Sequence, residues 1–347
     1  MRDRHRLVPK CAVVRARAGN DVSGASSARR YPSGVRRTRI PAEVLSLAHD
    51  RSAARAARDW TEADRIRGEI EAAGWKVVDR GTDFALEPAR PPTIEDGDVI
   101  RYGASTDVPS RFVEAPVGTA TLVVVATDWP DDLERTLAAF GRHAPHGVSV
   151  VVVADGPSTD QEAALPADGS GVEVVRTSQR LGTGAAWNVG IRRAVAPIVI
   201  ILDTSVEPTG DVVSPLIRAL DDPSVGVAGG FGIVSSDLRS FEAAPTGDVT
   251  AIEGYAIAFR RTDAAERAPL DERFRFYRNL DIWWSLVLRD EGEEAPPRRA
   301  VAVEIPAIRH EHRDWTSTPE PERARLSKRN FYRIIDRFGR RPDLATG

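Results

Sequence analysis

The 347-residue sequence has one cysteine, Cys11, and no long apolar run. A single cysteine excludes an intrachain disulfide and a cysteine-based zinc site, and it is typical of a reducing compartment. The apolar runs, such as "TLVVVAT" and "IVIIL", have the length of buried strands and fall short of the roughly 20 residues needed to cross a bilayer. The N-terminus lacks the apolar segment of a secretory signal. These absences favour a cytoplasmic protein.

A strong overall charge is also missing, because the formal net charge is −3. That balance hides an asymmetry: residues 1–38 hold nine arginines and Lys10 against Asp3 and Asp21, so they carry +8 and the remainder −11. Residues 1–38 show no apolar period, which predicts a disordered basic tail. An arm that binds nucleic acid through its phosphates is the less favoured alternative.

Residues 39–90 predict a small helical module. Val44, Leu45 and Ala48 follow a helical spacing, and a second helix is expected with Thr61 as its N-cap and Gly74 at its end. The segments "WKVVD" and "FALEP" then predict a short β-hairpin. The expected module is an αα-hairpin followed by a β-hairpin.

The stretch "ARAARDWTEADRIRGEIEAAGWKVVDRGTDF" within this module resembles the C-terminal module of cysteinyl-tRNA synthetases. The nucleotide-binding catalytic domain and the cysteine-rich metal site of a synthetase have no counterpart in the sequence. The resemblance implies contact with tRNA. The alternative, which we favour, is a helical hairpin used for packing or dimerisation.

Residues 91–118 are rich in proline, glycine and acids and predict a linker. From residue 119 to 347 apolar strands alternate with amphipathic helices, which predicts an α/β domain whose parallel sheet is covered on both faces. Asp155 and Asp203 each follow a strand of this pattern. Ligands of such sheets bind at the carboxyl ends of strands, so these two aspartates are candidate site residues.

The span from about Thr119 to Trp315 resembles family-2 glycosyltransferases, which have the nucleotide-diphospho-sugar transferase fold, GT-A. The resemblance is carried by several motifs in the family's order, namely "VVVATDWPDDLERTL", "VVVADGPSTD", "QRLGTGAAWNVGIRRA", "IVIILDTS", "AIEGYAIAFRR", "PLDERFRFYRNLDIWW" and "RHEHRDW". It implies transfer of a sugar from a nucleotide-diphospho-sugar donor to an acceptor hydroxyl. The acceptor class (glycan, lipid or small molecule) stays open.

On the donor side, the resemblance implies that Thr127 and Asp155 approach the nucleotide base. It also implies that Gly182 allows a close backbone approach, with the N-terminus of the following helix directed at the phosphates. Arg180 replaces a usual asparagine of the family and is expected to steer the diphosphate. Asn188 matches an asparagine of that helix. The alternative is structural: Gly182 starts the helix and Asn188 makes a buried polar contact.

The family's acid-x-acid pair binds Mg²⁺ or Mn²⁺, but here Asp203 is followed two positions on by Ser205. Hard cations take carboxylate oxygens and substrate phosphates. The resemblance therefore implies a divalent ion at Asp203, with Glu207 as a further candidate. His310 or His312 is expected to complete the metal shell. The substitution at Ser205 weakens the expectation of a metal more than that of a nucleotide.

The resemblance also implies a general base. In relatives it lies eleven residues before a glycine at a helix end, and counting back from Gly292 gives Asp281. The glutamate that usually precedes it is Leu280. The alternative alignment places Asn279 at the position of the general base, and the protein would then lack this base.

Four further residues are expected on the acceptor side. Glu253 and Gly254 match the acceptor-side strand, and Trp283 and Trp284 are expected to line an acceptor site, unless they belong to the core. The C-terminal segment predicts an amphipathic helix that packs on the domain, with an arginine-rich face suited to the periphery of an anionic membrane.

Two functions follow from the sequence. The first is an inverting, metal-assisted glycosyltransferase in which Asp155, Asp203 and Asp281 converge in one crevice. The second is a nucleotide- or RNA-binding protein that keeps the fold and has impaired turnover, for which Ser205 and Leu280 speak.

Overall fold

The computed structural model describes residues 40–80, 83–167, 169–267 and 269–345. The chain divides into two compact units, residues 1–92 and 93–347. The predicted basic tail of residues 1–38 lies outside the described residues. In the part of the chain that is described, no helix combines the length and apolar character needed to cross a membrane.

The first unit contains the predicted pair of hairpins. Helices α1 (Ala42–Ala56) and α2 (Trp60–Ala72) precede an antiparallel pair of strands, β1 (Trp75–Arg80) and β2 (Asp83–Pro88). Their apolar side chains meet in one core, formed by Val44, Ala48, Ile66, Ile70, Trp75 and Val77. The local periodicity of the sequence is therefore sufficient to specify this unit.

The start of α2 differs from the prediction. Asp59, not Thr61, is the N-cap, and its side chain accepts a hydrogen bond of 3.0 Å from the backbone N–H of Glu62. Aspartate is at least as good an N-cap as threonine, and its earlier position starts the helix at Trp60. Gly74 follows the helix with φ +80°, as expected for a helix stop.

The second unit is built on a mixed ten-stranded sheet. Its strands are β3 (Ile94–Asp96), β4 (Val99–Tyr102), β5 (Ala120–Ala126), β6 (Val148–Ala154), β7 (Val172–Thr177), β8 (Ile198–Leu202), β10 (Val225–Gly229), β13 (Gly247–Val249), β15 (Ala256–Arg260) and β16 (Arg299–Ala302). Two small sheets hold the other strands, β9 (Val206–Pro208), β11 (Gly232–Val234), β12 (Glu242–Ala244), β14 (Ala251–Ile252) and β17 (Ala307–Arg309). The order across the large sheet is β13-β16-β10-β15-β8-β5-β6-β7-β4-β3. Strands β4, β7, β6, β5 and β8 are parallel to one another.

Helices cover both faces of this sheet. They are α3 (Pro130–His143), α4 (Thr159–Ala163), α5 (Thr183–Arg193), α6 (Val213–Leu220), α7 (Arg261–Glu266), α8 (Leu280–Arg289), α9 (Arg313–Ser317) and α10 (Glu320–Phe338). Successive residues of β5 point to opposite faces, so Leu122 and Val123, both fully buried, belong to two separate apolar cores. This confirms the predicted α/β fold with a sheet buried on both sides.

The segment predicted as a linker, residues 91–118, contributes to the second unit. Strands β3 and β4 form a hairpin at the sheet edge, and β4 pairs in parallel with β7 through Arg101 and Arg176. Val108 is 1% exposed and lies in the core. The prediction of a linker is wrong for this part, because two strands of three and four residues are too short to stand out against their proline and glycine neighbours.

Candidate active site

A cavity of about 240 Å³ lies where β5, β6 and β8 end. Asp155 follows β6, Asp203 follows β8, and Asp281 belongs to the first turn of α8. All three carboxylates line this cavity. Parallel strands bring their carboxyl ends to one edge of a sheet, which explains how acids far apart in sequence come together.

Asp155 is buried and holds the loop that leads into α5. Its Oδ1 accepts hydrogen bonds from Leu181 N at 2.7 Å and Thr177 Oγ1 at 2.9 Å, and its Oδ2 accepts one from Gly182 N at 2.9 Å. Burial raises the pKa of Asp155, although these donors favour the charged form. The carboxylate therefore fixes the Leu181–Gly182 backbone at the cavity wall.

Gly182 has φ +102°, and a Cβ at this position would lie 2.7 Å from the Cα of Arg275. The close approach that glycine allows is thus made by the protein's own backbone. The next amides, Thr183 N and Gly184 N, donate to Arg275 O and Phe274 O at 3.3 and 2.9 Å. Gly182 and Thr183 line the cavity, so the approach of phosphates to the start of α5 stays a prediction, although its first two amides already have protein acceptors.

Arg180 and Thr127 both line the cavity. The guanidinium of Arg180 is largely exposed, and its Nη2 lies 3.6 Å from Asp128 Oδ2. Thr127 Oγ1 lies 3.5 Å from Thr204 Oγ1. Both side chains are placed where a ligand of the cavity can meet them.

Asn188 does not line the cavity. It is buried in α5, where its Nδ2 donates to Leu270 O and Glu272 Oε1, both at 3.0 Å, and its Oδ1 accepts from Leu270 N at 2.9 Å. These bonds tie α5 to the loop before Phe274. The expectation of a nucleotide-binding Asn188 is corrected to the structural alternative, because the loop consumes its amide.

Asp203 faces His312 across the cavity floor. Its Oδ2 lies 3.4 Å from His312 Nε2, and its Oδ1 accepts from Ser205 N at 2.8 Å. Burial acts to raise the pKa of Asp203, but His312 and Ser205 outweigh it, so the pKa lies below its ordinary value. Burial acts to lower the pKa of His312, but Asp203 outweighs it and the pKa is raised. The imidazole also stacks on Tyr277, with ring centroids 4.1 Å apart.

Ser205, Glu207 and His310 lie away from the cavity lining. Ser205 is 2% exposed, and its hydroxyl donates a hydrogen bond to Asp203 Oδ1, so Ser205 orients Asp203 from outside the cavity lining. His310 Nε2 and Glu207 Oε2 lie 2.8 Å apart and pair with each other. The expectation of a ligand role for Ser205, Glu207 and His310 is thus corrected, because none of the three lines the cavity, Ser205 bonds Asp203, and Glu207 and His310 pair with each other.

The candidate metal ligands that remain are Asp203 and His312. Among the described residues no group of three or more His, Cys, Asp or Glu side chains has the arrangement of a metal site. One carboxylate and one imidazole that converge on a cavity fit a divalent ion whose other ligands are phosphate oxygens and water. The protein by itself offers an incomplete set.

Asp281 is held by backbone donors at the inner end of the cavity. Gly254 N donates to its Oδ2 at 2.8 Å, and Ile282 N donates to its Oδ1 at 2.9 Å. Burial raises the pKa of Asp281. Glu253 lines the same cavity, and burial followed by the charge of Asp281 raises the pKa of Glu253. Asn279, the alternative register, has φ +71° and donates its amide to Ser327 O.

Trp283 and Trp284 belong to the core and do not line the cavity. Trp284 is 0% exposed and meets Phe259 edge-to-face at 5.5 Å. Trp283 lies under the guanidinium of Arg337, 5.2 Å from its carbon. The expectation of an acceptor-binding pair is wrong, because α8 is buried on nearly all sides and these rings fill the space beneath it.

Sequence reasoning missed one whole segment of the wall. Arg275, Phe276, Tyr277 and Arg278 all line the cavity. The buried amide of Asn330 donates to Phe276 O at 2.8 Å and Arg278 O at 2.9 Å and so fixes the segment. The run "RFRFYR" at 273–278, where arginines alternate with aromatic residues, is the signal that could have revealed it.

Comparison with known proteins identifies the type of domain. Residues 121–278 match the family model "Glycosyl transferase family 2", which is somewhat less than half of the chain. The solved structure of GalNAc-T7 with UDP, GalNAc and Mn²⁺ has a TM-score of 0.50 and 16% sequence identity, over 63% of this chain and 48% of that chain. The second unit has the GT-A fold, and the family match supports a family-2 glycosyltransferase domain.

The first unit has relatives of another kind. A cysteine–tRNA ligase of Opitutus terrae is 51% identical over 51 residues, and cysteine–tRNA ligase 1 of Burkholderia lata is 48% identical over 40 residues. These matches cover 15% and 12% of this chain and 11% and 8% of the ligases. The chain therefore spans only a small part of the curated relatives that it matches.

Proposed function

We propose that this protein is a glycosyltransferase that moves a sugar from a nucleotide-diphospho-sugar to an acceptor hydroxyl, with inversion at the anomeric carbon. The observation that carries the proposal is the convergence of Asp155, Asp203 and Asp281 on one cavity at the carboxyl edge of a GT-A sheet. The family match in residues 121–278 supports it. One base and one leaving group suffice for a single displacement, which inverts the configuration.

Asp281 is proposed as the general base. Its carboxylate is held by Gly254 N and Ile282 N, and burial raises its pKa, which makes it a stronger base than an exposed aspartate. It takes the proton of the acceptor hydroxyl as the oxygen attacks the sugar. Glu253 and Gly254 stand beside it as the acceptor side of the site.

The donor is proposed to lie along Thr127, Asp155, Arg180 and Asp203. Asp155 acts by positioning the Leu181–Gly182 backbone, because its oxygens already accept three hydrogen bonds. When Mg²⁺ or Mn²⁺ is bound, Asp203 and His312 hold it, and the ion neutralises charge on the departing diphosphate. Holding both substrates in one cavity supplies proximity.

We propose that the first unit is a module of the cysteinyl-tRNA synthetase C-terminal type fused to the transferase domain. Its support is the match to two cysteine–tRNA ligases together with the αα-hairpin and β-hairpin. Packing or dimerisation is its proposed role. If it contacts tRNA instead, removal of residues 1–90 should abolish retention of the protein on immobilised tRNA, and unchanged retention would refute that contact.

The proposed location is the cytoplasm, with membrane contact limited to the periphery. Helix α10 presents Lys328 and Arg329 at the surface, which suits an anionic membrane. Sedimentation with anionic vesicles tests this association. The acceptor is a glycan, a lipid or a small molecule, and detection of the glycosylated product separates these classes.

A second candidate function is nucleotide or RNA binding with impaired turnover. Two observations favour it: Ser205 replaces the second acid and lies behind Asp203, and Leu280 is fully buried where relatives have a glutamate. This candidate predicts binding without turnover.

Release of nucleoside diphosphate from a panel of UDP- and GDP-sugars separates the two candidates. The transferase predicts slow release of nucleoside diphosphate from at least one donor by hydrolysis, faster release with Mn²⁺, and further release by transfer when the correct acceptor is added. Binding of a nucleoside diphosphate with no release from any sugar would favour the second candidate. The anomeric configuration of the product, measured by NMR, tests inversion.

A further inference from the structure

We infer that Arg275, together with Arg180, binds the diphosphate of the donor and adds positive charge to the contribution of an ion held by Asp203 and His312. The inference rests on the proposed function and names the residues that recognise the charged part of the donor. Both arginines line the cavity that contains Asp203 and His312.

The backbone amides at the start of α5 already donate hydrogen bonds within the protein. Leu181 N and Gly182 N donate to Asp155, and Thr183 N and Gly184 N donate to backbone carbonyls. A phosphate that approached the start of α5 would have to break these bonds. The amides of residues 181–184 therefore offer no free donor to a diphosphate.

The side chains of the site supply only two candidate metal ligands. Ser205 cannot contribute a carboxylate, and its hydroxyl is committed to Asp203. Asp203 and His312 are two ligands, and no third ligand joins them among the described residues. A diphosphate leaves with at least two negative charges, whereas a divalent ion held by the carboxylate of Asp203 would supply a net charge of only about +1, so further positive charge is needed.

The guanidinium groups of Arg275 and Arg180 can supply positive charge to the cavity. In the described part of the chain, the guanidinium of Arg275 has no carboxylate within ion-pair distance and no hydrogen-bond acceptor, while that of Arg180 lies 3.6 Å from Asp128. Many other arginines of the unit are paired, as Arg273 is with Asp271 at 2.6 Å. An unpaired arginine on a cavity wall is available for a ligand, and its planar fork fits two phosphate oxygens.

Arg180 and Arg275 belong to neighbouring parts of the cavity wall. The Cα of Arg275 lies against Gly182. Gly182 follows Arg180 by two positions in the chain, so the backbones of the two arginines lie in the same part of the cavity wall. The backbone of Arg275 is fixed there, because its carbonyl accepts from Thr183 N. Asp155 fixes the other side through Leu181 and Gly182. Because the backbone is fixed, binding of a diphosphate needs to order only the two arginine side chains.

The test is calorimetric titration of the full-length protein with inorganic pyrophosphate, UDP and GDP in EDTA, compared with the nucleosides uridine and guanosine. Arg275→Ala should weaken pyrophosphate and nucleoside diphosphate binding roughly tenfold or more, since a hydrogen bond to a charged group is worth about 1.5–3 kcal/mol. Nucleoside binding should stay unchanged. Arg180→Ala should show a loss of the same kind, and Arg275→Lys, which keeps the charge without the fork, should fall between.

Arg273→Ala is the matched control, because Arg273 is two residues away, paired with Asp271 and outside the cavity lining. It should leave all affinities unchanged. Equal affinity of wild type and Arg275→Ala for pyrophosphate and for the diphosphates would overturn the inference, as would absence of any diphosphate binding by the wild type. An equal loss for nucleosides would also overturn it, since it would mean that Arg275 only maintains the shape of the cavity.

The two proposals fail separately. If sugar nucleotides are turned over but Arg275→Ala binds diphosphates normally, the inference about Arg275 is wrong and the transferase proposal stands. If Arg275→Ala loses diphosphate affinity but no sugar nucleotide is ever turned over, the site binds diphosphates and the transferase proposal is wrong.

Discussion

The backbone N–H of Gly254 donates a hydrogen bond of 2.8 Å to Oδ2 of Asp281. A Cβ at Gly254 would lie 3.3 Å from the Cβ of Asp281, so the two residues are in close contact. The donor orients the carboxylate in the cavity, while burial keeps its pKa raised. This pairing of a glycine in the turn between β14 and β15 with an acid of α8 fixes a carboxylate in the cavity lining, as the proposed general base requires.

Asp281→Asn should gain stability relative to wild type as pH rises. Because the pKa of Asp281 is raised in the folded protein, this group favours the folded state most below its unfolded pKa, and that contribution is lost as pH rises through the folded pKa. The amide of Asn removes this pH-dependent cost, while the loss of one of the two backbone hydrogen bonds to the carboxylate lowers stability equally at every pH. In thermal denaturation, the Tm of Asp281→Asn minus that of wild type should therefore increase from pH 4 to pH 7.5. A difference that is independent of pH would contradict the burial argument.

Asp155→Ala should destabilise the protein by roughly 3 kcal/mol, because three donors would lose their buried acceptor. Asp155→Asn should cost less, since one oxygen can still accept from Leu181 and Thr177. Urea denaturation measures both. The exposed Asp160→Ala in the adjacent helix is the control and should change the free energy of unfolding little. Equal stabilities of Asp155→Ala and wild type would show that the loop does not depend on this carboxylate.

Ser205→Asp should make stability depend on metal. Ser205 is buried beside Asp203, so a second carboxylate there adds like-charge repulsion and should lower the Tm in EDTA. Mn²⁺ should then raise the Tm of Ser205→Asp more than that of wild type, because the added acid supplies a ligand. Ser205→Asn, with similar size and no charge, should not gain this response. If Mn²⁺ shifts Ser205→Asp and Ser205→Asn equally, the acid at position 205 supplies no ligand; if Mn²⁺ shifts neither variant nor wild type, Asp203 is not at a cation site.

Trp284→Ala should destabilise the protein by about 3–5 kcal/mol, as expected for loss of a large buried aromatic side chain. Trp284→Phe should cost less, because it keeps a ring against Phe259 and removes an indole N–H that has no partner among the described residues. The KM for the acceptor should remain that of wild type in Trp284→Phe. If Trp284→Phe had a raised KM for the acceptor and unchanged stability, Trp284 would contribute to the acceptor site.

The fold was largely predictable, because buried parallel strands are continuous apolar runs and their helices are amphipathic. Asp155, Asp203 and Asp281 were found through strand ends and a motif spacing, and all three line the cavity. Their chemical roles remain predictions.

The misses have a common physical cause: they depend on contacts between distant parts of the chain. The amides at the start of α5 look free in the sequence, but Phe274 and Arg275, some ninety residues later, supply their acceptors. Asn188 resembles a ligand residue until Leu270 is seen to use its amide. A tryptophan in an amphipathic helix gives no sign of which side will be covered.

The most direct test of the account is single-turnover transfer by Asp281→Asn, measured beside titration with the nucleoside diphosphate of the same donor. If Asp281 is the base, transfer should fall by about 10²–10⁴-fold while diphosphate affinity stays within twofold or so of wild type. Glu253→Gln, the amide variant of the neighbouring carboxylate, should keep a much larger part of the rate. Transfer by Asp281→Asn at the wild-type rate would contradict the central claim.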